Sequence, residues 1–443
     1  MKPIAVVYLS SYLLSLLGNS IAAIALPLII LTTTGSALGA GTVAAATAIP
    51  AVIAGVLMGV VVDRFNRLTS SVVTDVVSAL SLAALPLVAL VTDLTVGWFV
   101  LFGIIGSLGD IPGMTAREAL LPAIVRESGM SAERLIGLRE SLGAIALVLG
   151  PAVAGTLIGI FDGTTVLWVT AATSLGAALL TLLIPRRVGA IRVGATRGAD
   201  VVDAPSADNS PPAPRGLGWQ ELREGWNTLF RSPFLVAVTV MGSVLGLVLA
   251  SLQGLILPVY FSTTDQSALL GFVLSALAAG LLLGSGVYVI FARKVSRRVW
   301  LVVGLIGTAV GSGIIATLAS APTIFAGALV VGVASGLFSS VIGVATLERI
   351  PDQMRGRVTG TQNAIATAAP ALGIFGAALL TEAFTLTTAA VVLAILWAVA
   401  TVVALCVRSL RDLDALGTLT TAGAPGRDPI GDPPTPPLTT HLR

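Results

Sequence analysis

Apolar runs of about 20 residues recur along the chain and constrain its fold more than any other feature. Hydrophobic residues make up 55% of the 443 residues and charged residues only 11%, whereas soluble domains carry roughly 25% charged residues. A helix of about 20 apolar residues crosses a bilayer, and a membrane β-barrel would show short alternating segments instead. The sequence therefore predicts an all-α integral membrane protein.

Twelve such runs can be counted, and we expect twelve transmembrane helices. They lie near 5–31, 37–62, 69–91, 95–115, 132–160 and 164–184, and near 233–258, 267–291, 299–319, 322–346, 358–380 and 386–407.

The chain also repeats itself. Residues 26–38 and 257–269 are identical at seven of thirteen positions, and 54–59 is similar to 279–284. These matches occur in the same order at nearly constant offsets. A duplicated six-helix unit explains this, so we expect two pseudo-symmetric halves of six helices each.

Composition divides the chain into four parts. The N-terminal half is predicted over 1–187 and the C-terminal half over 232–412. A cytoplasmic linker over 188–231 begins rich in Gly, Ala, Ser and Pro and ends in an amphipathic pattern. That pattern predicts either an interfacial helix or a helical lead-in to span 7. Residues 413–443 are rich in Thr, Pro and Gly and are predicted to be a disordered cytoplasmic tail.

The distribution of charge predicts the orientation. If both termini are cytoplasmic, every Lys and Arg falls on the cytoplasmic side or within the inner helix turns. The outer loops then carry only acids, namely Asp93, Asp162, Asp265 and Glu382. This pattern obeys the positive-inside rule. We therefore expect a multi-pass plasma-membrane protein, and the net charge of +3 does not indicate a nucleic-acid partner.

Residue types needed for most metal and hydrolytic chemistry are scarce. The chain has one cysteine, Cys406, and one histidine, His441. An internal disulfide and a cysteine metal cluster are thereby excluded. We expect no metal, no cofactor and no enzymatic activity.

The segment Gly59-Val-Val-Val-Asp63-Arg64-Phe-Asn-Arg67 combines an acid and two arginines with a glycine-containing helix end. It resembles the G-x-x-x-D-R-x-x-R loop between helices 2 and 3 of the major facilitator superfamily, whose members are secondary transporters. The resemblance implies that this loop closes a cytoplasmic gate. Gly59 would allow close packing, Asp63 would face a helix end, and Arg64 and Arg67 would form ion pairs. A basic cluster that only fixes topology is the alternative.

Span 5 contains a second motif with Gly143, Gly150, Pro151 and Gly155. It is similar to the Gly-Pro motif that antiporters of the superfamily carry in this helix. Proline bends a helix, and glycines allow tight contact at a domain interface. Ordinary packing of small residues is the alternative.

Four ionisable residues lie within the predicted spans: Asp75, Asp110, Arg139 and Glu140. Each costs about 2.5–3.5 kcal/mol at the bilayer centre, so each needs a partner or a wet cavity. An Asp110–Arg139 ion pair would leave Asp75 or Glu140 free to carry a proton. We predict that one of the three acids couples transport to protons. A static network that braces the gate is the alternative.

Shorter phrases, among them Leu16-Leu-Gly-Asn19 and Ala119-Leu-Leu-Pro122, resemble the macrolide, multidrug and siderophore exporters of the superfamily. This resemblance implies a substrate site between the halves, against helices 1, 4, 7 and 10. The candidate contacts are Asn19, Asp110, Met114, Gln253 and Phe338.

The function predicted from these features is proton-coupled export of lipophilic or amphiphilic small molecules by a monomer in contact with membrane lipid. A lysophospholipid flippase and an uptake symporter on the same scaffold are alternatives. A membrane receptor or assembly factor that transports nothing is a third.

Overall fold

The computed structural model describes residues 3–64, 66–188, 229–230, 232–292, 294–349 and 355–407. These residues are helical apart from short connections. The first half contains α1 (Pro3–Thr34), α2 (Ala37–Arg64), α3 (Arg67–Ala89), α4 (Val96–Ser128), α5 (Ala132–Ile160) and α6 (Gly163–Leu182). The second contains α7 (Pro233–Thr263), α8 (Ser267–Phe291), α9 (Arg297–Ala316), α10 (Ala321–Arg349), α11 (Arg355–Ala383) and α12 (Leu386–Cys406).

The predicted all-α membrane architecture is confirmed. Within the described residues, ten helices are long and apolar enough to cross a membrane. The apolar segments Ala37–Ala51 of α2 and Val96–Gly109 of α4 account for the other two predicted spans.

The two halves repeat the same helix packing. In the first half α3 packs on α4 and α6, α2 packs on α4, and α1 packs on α5 and α6. Adding six to each label gives the packing of the second half, in which α9 packs on α10 and α12, α8 on α10, and α7 on α11 and α12. The duplication predicted from the sequence repeat therefore corresponds to a duplicated arrangement of helices.

Among the described residues, the halves meet mainly along three pairs of helices: α5 with α8, α2 with α11, and α1 with α7. Glycines allow a close approach in two of these pairs. A Cβ added to Gly271 of α8 would lie 2.1 Å from the carbonyl oxygen of Pro151 in α5. A Cβ added to Gly41 of α2 would lie 2.4 Å from the Cβ of Ala378 in α11. Small residues at these positions allow the close approach.

The described Lys and Arg residues lie toward one end of the bundle, and the charged residues at the opposite end are all acidic. Asp93, Asp162, Asp265 and Glu382 lie in or beside the connections at one end, which we call the acidic end. The Lys and Arg side chains that the structure describes lie at the opposite, basic end or in the helix turns next to it. Gly41 and Gly271 are both in the first turns of helices that begin at the acidic end, so the close contacts between the halves lie toward that end.

Asp162 caps α6 at the acidic end. Its carboxylate accepts hydrogen bonds from the hydroxyls of Thr164 and Thr165 and from the Thr165 N–H. These bonds, the one from Thr164 first, lower the pKa of Asp162 to about 2. This side chain therefore stays negative over the whole physiological pH range.

Helix α4 is longer than predicted. It ends at Ser128 rather than near residue 115. The charged residues Arg117 and Glu118 suggested the end of a span, but Arg117 is only 4% exposed and lies inside the bundle. Asp75 of α3 pairs with Arg117 and offsets its charge. A paired arginine can lie inside the bundle, so it does not mark the end of the helix.

Several predictions fall outside the described residues. They include the linker over 188–231, apart from Val188, Leu229 and Phe230, and the tail over 413–443. The side chains of Asp63 and Arg64 also lie outside.

Candidate functional site

A cavity of about 420 Å³ lies between the two halves, where α1, α5, α7, α8 and α11 converge. Its walls are formed mostly by Ala, Gly, Pro, Leu and Ile. The polar side chains that line it are those of Ser20 on α1 and Gln253 on α7. None of the described residues that line this inter-half cavity is charged. Such a surface suits an apolar molecule with one or two hydrogen-bonding groups.

The glycine and proline motif of α5 contacts helices of both halves, and its proline lines this cavity. Gly150 lies against Ser20 of α1, since an added Cβ would be 2.4 Å from the Ser20 Cβ. Pro151 lines the cavity itself. Gly155 lies against Gly271 of α8, and a Cβ added to Gly143 would lie 3.5 Å from the Tyr12 hydroxyl oxygen. Pro151 and Gly155 therefore lie at the interface of the halves, whereas Gly143 and Gly150 lie against α1 of their own half.

Asp75 of α3 forms a buried ion pair with Arg117 of α4. The two side chains are 6% and 5% exposed. Arg117 Nη1 also donates to Ser15 Oγ of α1 at 2.9 Å, and Tyr8 Oη donates to the Arg117 carbonyl oxygen at 3.1 Å. Three helices thus converge on one acid and one base.

Arg139 of α5 is the centre of a second charged group. Its Nη2 donates to Glu118 Oε1 of α4 at 2.9 Å, and its Nη1 donates to Glu140 Oε1 at 3.0 Å. The guanidinium also lies over the Tyr12 ring, 4.9 Å from its centroid. The Arg139 side chain is 12% exposed, whereas Glu118 and Glu140 are more than half exposed. The arginine is therefore held between α1 and α4, and its two acids face outward.

These partners differ from the expected ones. The prediction paired Arg139 with Asp110 and left Asp75 or Glu140 free. The structure pairs Arg139 with Glu118 and Glu140, and it pairs Asp75 with Arg117. The side chain of Asp110 lies outside the described residues. Arg117 and Glu118 were missed because they were placed beyond the end of span 4. The apolar run from Ala119 to Val125 was the available signal that the helix continues.

A second cavity of about 220 Å³ lies inside the first half, between α1, α2, α3 and α4. Asn19 lines it together with Thr47, Ser78, Ser81 and Ser107. Asn19 therefore faces the interior of its own half, although the next residue, Ser20, lines the inter-half cavity. Ser78 and Ser81 follow Asp75 by one and two turns of α3.

Of the other candidate contacts that the structure describes, one lines the inter-half cavity and two do not. Gln253 lines the inter-half cavity. Met114 is 45% exposed on α4 and is not part of its wall. Phe338 is 2% exposed and packs against Trp397 of α12, with ring centroids 6.0 Å apart, so its side chain lies inside the second half. Helices α1 and α7 line this cavity as predicted. In place of α4 and α10, the remaining described walls come from α5, α8 and α11.

The loop between α2 and α3 packs on the first half. Asn66 caps α3, with Oδ1 accepting from the N–H groups of Leu68 and Thr69, and its Nδ2 donates to the Arg186 carbonyl oxygen. Arg67 Nη1 donates to the Ala119 carbonyl oxygen of α4 at 2.9 Å. The described contact of Arg67 is thus a bond to a backbone carbonyl rather than an ion pair. Gly59, Asp63 and Arg64 belong to α2, and their surroundings lie outside the described part of the chain.

Comparison with known proteins fits this architecture. The family model of the Major Facilitator Superfamily matches residues 8–267 and 249–428. The chain belongs to this superfamily. The resemblance inferred from the loop after α2 is thereby confirmed.

Two relatives within the superfamily are drug exporters by name. The multidrug efflux pump Tap of Mycobacterium tuberculosis (strain ATCC 25618 / H37Rv) is 31% identical over 420 residues, which are 93% of this chain and 94% of that protein. Macrolide efflux protein A of Streptococcus pyogenes is 23% identical over 277 residues, covering 60% of this chain and 64% of that protein. The predicted resemblance to the drug-exporting branch is confirmed at this level of similarity.

The fold of the superfamily is also found by structure comparison. The crystal structure of the nucleoside transporter NupG superposes with a TM-score of 0.71 at 15% identity, covering 91% of this chain and 98% of that one. At this identity the likeness shows a shared fold. The chain is therefore a multi-pass membrane protein of the major facilitator superfamily.

Proposed function

We propose that this protein is a proton-coupled exporter of lipophilic or amphiphilic small molecules. The inter-half cavity carries this proposal. It is about 420 Å³ in volume and its walls are apolar, with Ser20 and Gln253 supplying hydrogen-bonding groups. The relationship to Tap, which is named a multidrug efflux pump, supports the export of drugs.

Alternating access is the mechanism that we propose for this cavity. The close contacts of Gly155 with Gly271 and of Gly41 with Ala378 lie on the acidic side of it. They support a state in which the halves are closed at the acidic end. Separation of these contacts, with approach of the halves at the basic end, would expose the cavity to the other side.

We also propose that the basic end is cytoplasmic and that a proton enters from the acidic side. Asp75, Asp110 and Glu140 are the candidate carriers. Asp75 is held by Arg117 and Glu140 by Arg139, so protonation of either acid would release an arginine to change partners. Movement of one charge down the membrane potential supplies about 2.3 kcal/mol per 100 mV.

The test is transport into inside-out membrane vesicles, measured with radiolabelled chloramphenicol and with ethidium. An imposed pH gradient, acidic inside, should drive accumulation of at least one probe. Asp75→Asn, Asp110→Asn and Glu140→Gln are then compared with the wild type. Loss of gradient-driven accumulation in one variant, with substrate binding retained, identifies the proton carrier.

Three other results would replace the proposal. Gradient-independent movement of a fluorescent lysophospholipid between leaflets would establish a flippase. Accumulation that requires the opposite gradient would establish an uptake symporter. Absence of any flux for drugs and lipids alike would leave the receptor or assembly role.

A further inference from the structure

Helix α7 departs from regular α-helical geometry beside the inter-half cavity. Residues Leu252–Ile256 form a π-helical turn, in which the N–H of Leu257 donates to the carbonyl of Leu252, five residues earlier. Leu252, Leu255 and Ile256 are buried, whereas Gln253 and Gly254 line the cavity. The wide turn therefore presents its two remaining residues to the space between the halves. π-Turns of this kind are often found at functional sites.

The matching helix of the first half has no such turn. α1 is continuous from Pro3 to Thr34. By the sequence repeat, Pro27 of α1 corresponds to Pro258 of α7. The proline does not cause the turn, since α1 carries its own.

The carboxamide of Gln253 has no hydrogen-bond partner among the residues that the structure describes. A second glutamine of the same half, Gln362 of α11, donates from Nε2 to Thr239 Oγ1 of α7 at 2.9 Å. One amide is thus used to join two helices, and the other faces the cavity. Pro258 lacks an N–H, which removes a backbone donor from the same segment. Polar groups left unpaired in an apolar wall are satisfied by water or by a ligand.

We propose that the π-turn of α7 presents Gln253 as the specificity-determining group of the cavity, and that the site prefers neutral lipophilic molecules bearing amide, lactone or hydroxyl groups over lipophilic cations. A carboxamide both donates and accepts hydrogen bonds, so it pairs with these groups. A cation in an apolar cavity needs a nearby acid, and the described lining has none. This inference rests on the proposed function and names its substrate class.

The test is equilibrium binding to the purified full-length protein in detergent, without a gradient. Chloramphenicol is the neutral amide probe, and tetraphenylphosphonium is a cation without hydrogen-bonding groups. The wild type should bind chloramphenicol at least tenfold more tightly. Gln253→Leu should weaken chloramphenicol binding roughly 5- to 30-fold, as expected for one lost hydrogen bond in a desolvated site, and change phosphonium binding less than about twofold.

Gln362→Leu is the matched control, because it removes a carboxamide of the same half that already has a partner. It should alter both affinities less than about twofold. Gln253→Asn keeps the carboxamide and should retain more affinity than Gln253→Leu. Deletion of Gly254 removes one residue from the π-turn, so that the segment can adopt regular α-helical geometry, and should weaken chloramphenicol binding as much as Gln253→Leu does. If the deletion variant does not fold, the two substitutions at Gln253 still decide the question.

Equal effects of Gln253→Leu and Gln362→Leu would overturn the inference. So would tighter binding of the cation by the wild type, or binding of neither probe. Export in vesicles with a preference for cations would refute this inference and leave the proposed function intact. Selective binding of chloramphenicol without gradient-driven transport would refute the proposed function instead.

Discussion

At the scale of residues, the Asp75–Arg117 pair is the most buried ion pair among the described residues, with both side chains about 5% exposed. Transfer of either charge from water is costly, and mutual attraction offsets that cost only while both are present. Two residues of α1 hold the pair: Ser15 Oγ accepts from the Arg117 guanidinium, and Tyr8 Oη donates to the Arg117 carbonyl oxygen. The pair therefore joins three helices, and its removal should act on stability as well as on coupling.

We predict that Arg117→Met lowers the free energy of unfolding by about 3–5 kcal/mol, because it leaves the Asp75 carboxylate buried without a partner. The double variant with Asp75→Leu should recover most of this loss. The measurement is unfolding of the purified protein in detergent, followed by tryptophan fluorescence.

Arg187→Gln is the matched control for that experiment. It breaks the Arg187–Glu127 pair, in which the atoms are 3.8 Å apart and Arg187 is 75% exposed. Exposed pairs contribute at most about 1 kcal/mol. A loss for Arg117→Met no greater than that of Arg187→Gln would contradict a structural role for the buried pair.

The sequence identified Asp75, Arg139 and Glu140 as embedded charges but did not assign their partners correctly. Which side chains meet depends on the rotation and relative height of neighbouring helices, and neither quantity is visible in a single hydrophobic run. Glu118 and Arg117 are adjacent on α4, yet one pairs with α5 and the other with α3. Only the packed bundle decides between such neighbours.

At the scale of helices, α5 and α8 form the closest described contact between the halves. Gly155 and Gly271 allow two backbones to touch, and Pro151 contributes the nearest carbonyl. Glycines that allow close contact and a proline that bends a helix are local features, so the sequence could suggest a tightly packed interface for this motif without naming the partner helix. The π-turn of α7 was not predicted, because one irregular turn leaves the apolar run of this span intact.

We predict that Gly271→Ala separates the halves at the acidic end. The added methyl group would lie 2.1 Å from the Pro151 carbonyl oxygen, which is backbone and cannot rotate away. Overpacking of this kind costs about 1–3 kcal/mol. Spin labels at cysteines replacing Asp162 and Asp265, in a Cys406→Ser background, should show a longer or broader distance distribution.

Gly286→Ala on the same helix provides the comparison, since nothing lies within 4 Å of the Cβ that it would add. Its distance distribution should match that of the unsubstituted protein. An unchanged distance distribution in Gly271→Ala would mean that the added methyl group is accommodated by local shifts. The glycine contact would then not set the separation of the halves.

At the scale of the whole molecule, the described charges divide the bundle into an acidic and a basic end. Twelve spans leave the start of α1 and the end of α12 at the same, basic end. The number of helices, their repeat and this polarity could all be predicted from sequence, because hydropathy and charge act on every residue of a membrane protein. The shape of the cavity could not be predicted from sequence, because it depends on how the two halves pack against each other.

We predict that the acidic end faces the cell exterior. In a Cys406→Ser background, a cysteine replacing Glu382 should react with a membrane-impermeant maleimide in intact cells. A cysteine replacing Lys294 should react only after permeabilisation. Both positions are exposed, and Cys406→Ser alone should remain unlabelled. The reverse pattern of labelling would invert the topology and, with it, the direction of export.

The ion pair between α3 and α4 also has a consequence for biogenesis. Inserted one at a time, α3 would carry Asp75 and α4 would carry Arg117 into lipid without a counterion, at about 2.5–3.5 kcal/mol for each charge. Only a short connection separates Ala89 from Val96, so the two helices can leave the translocon together as a hairpin. We therefore expect α3 to enter the lipid only after α4 has been synthesised as far as Arg117.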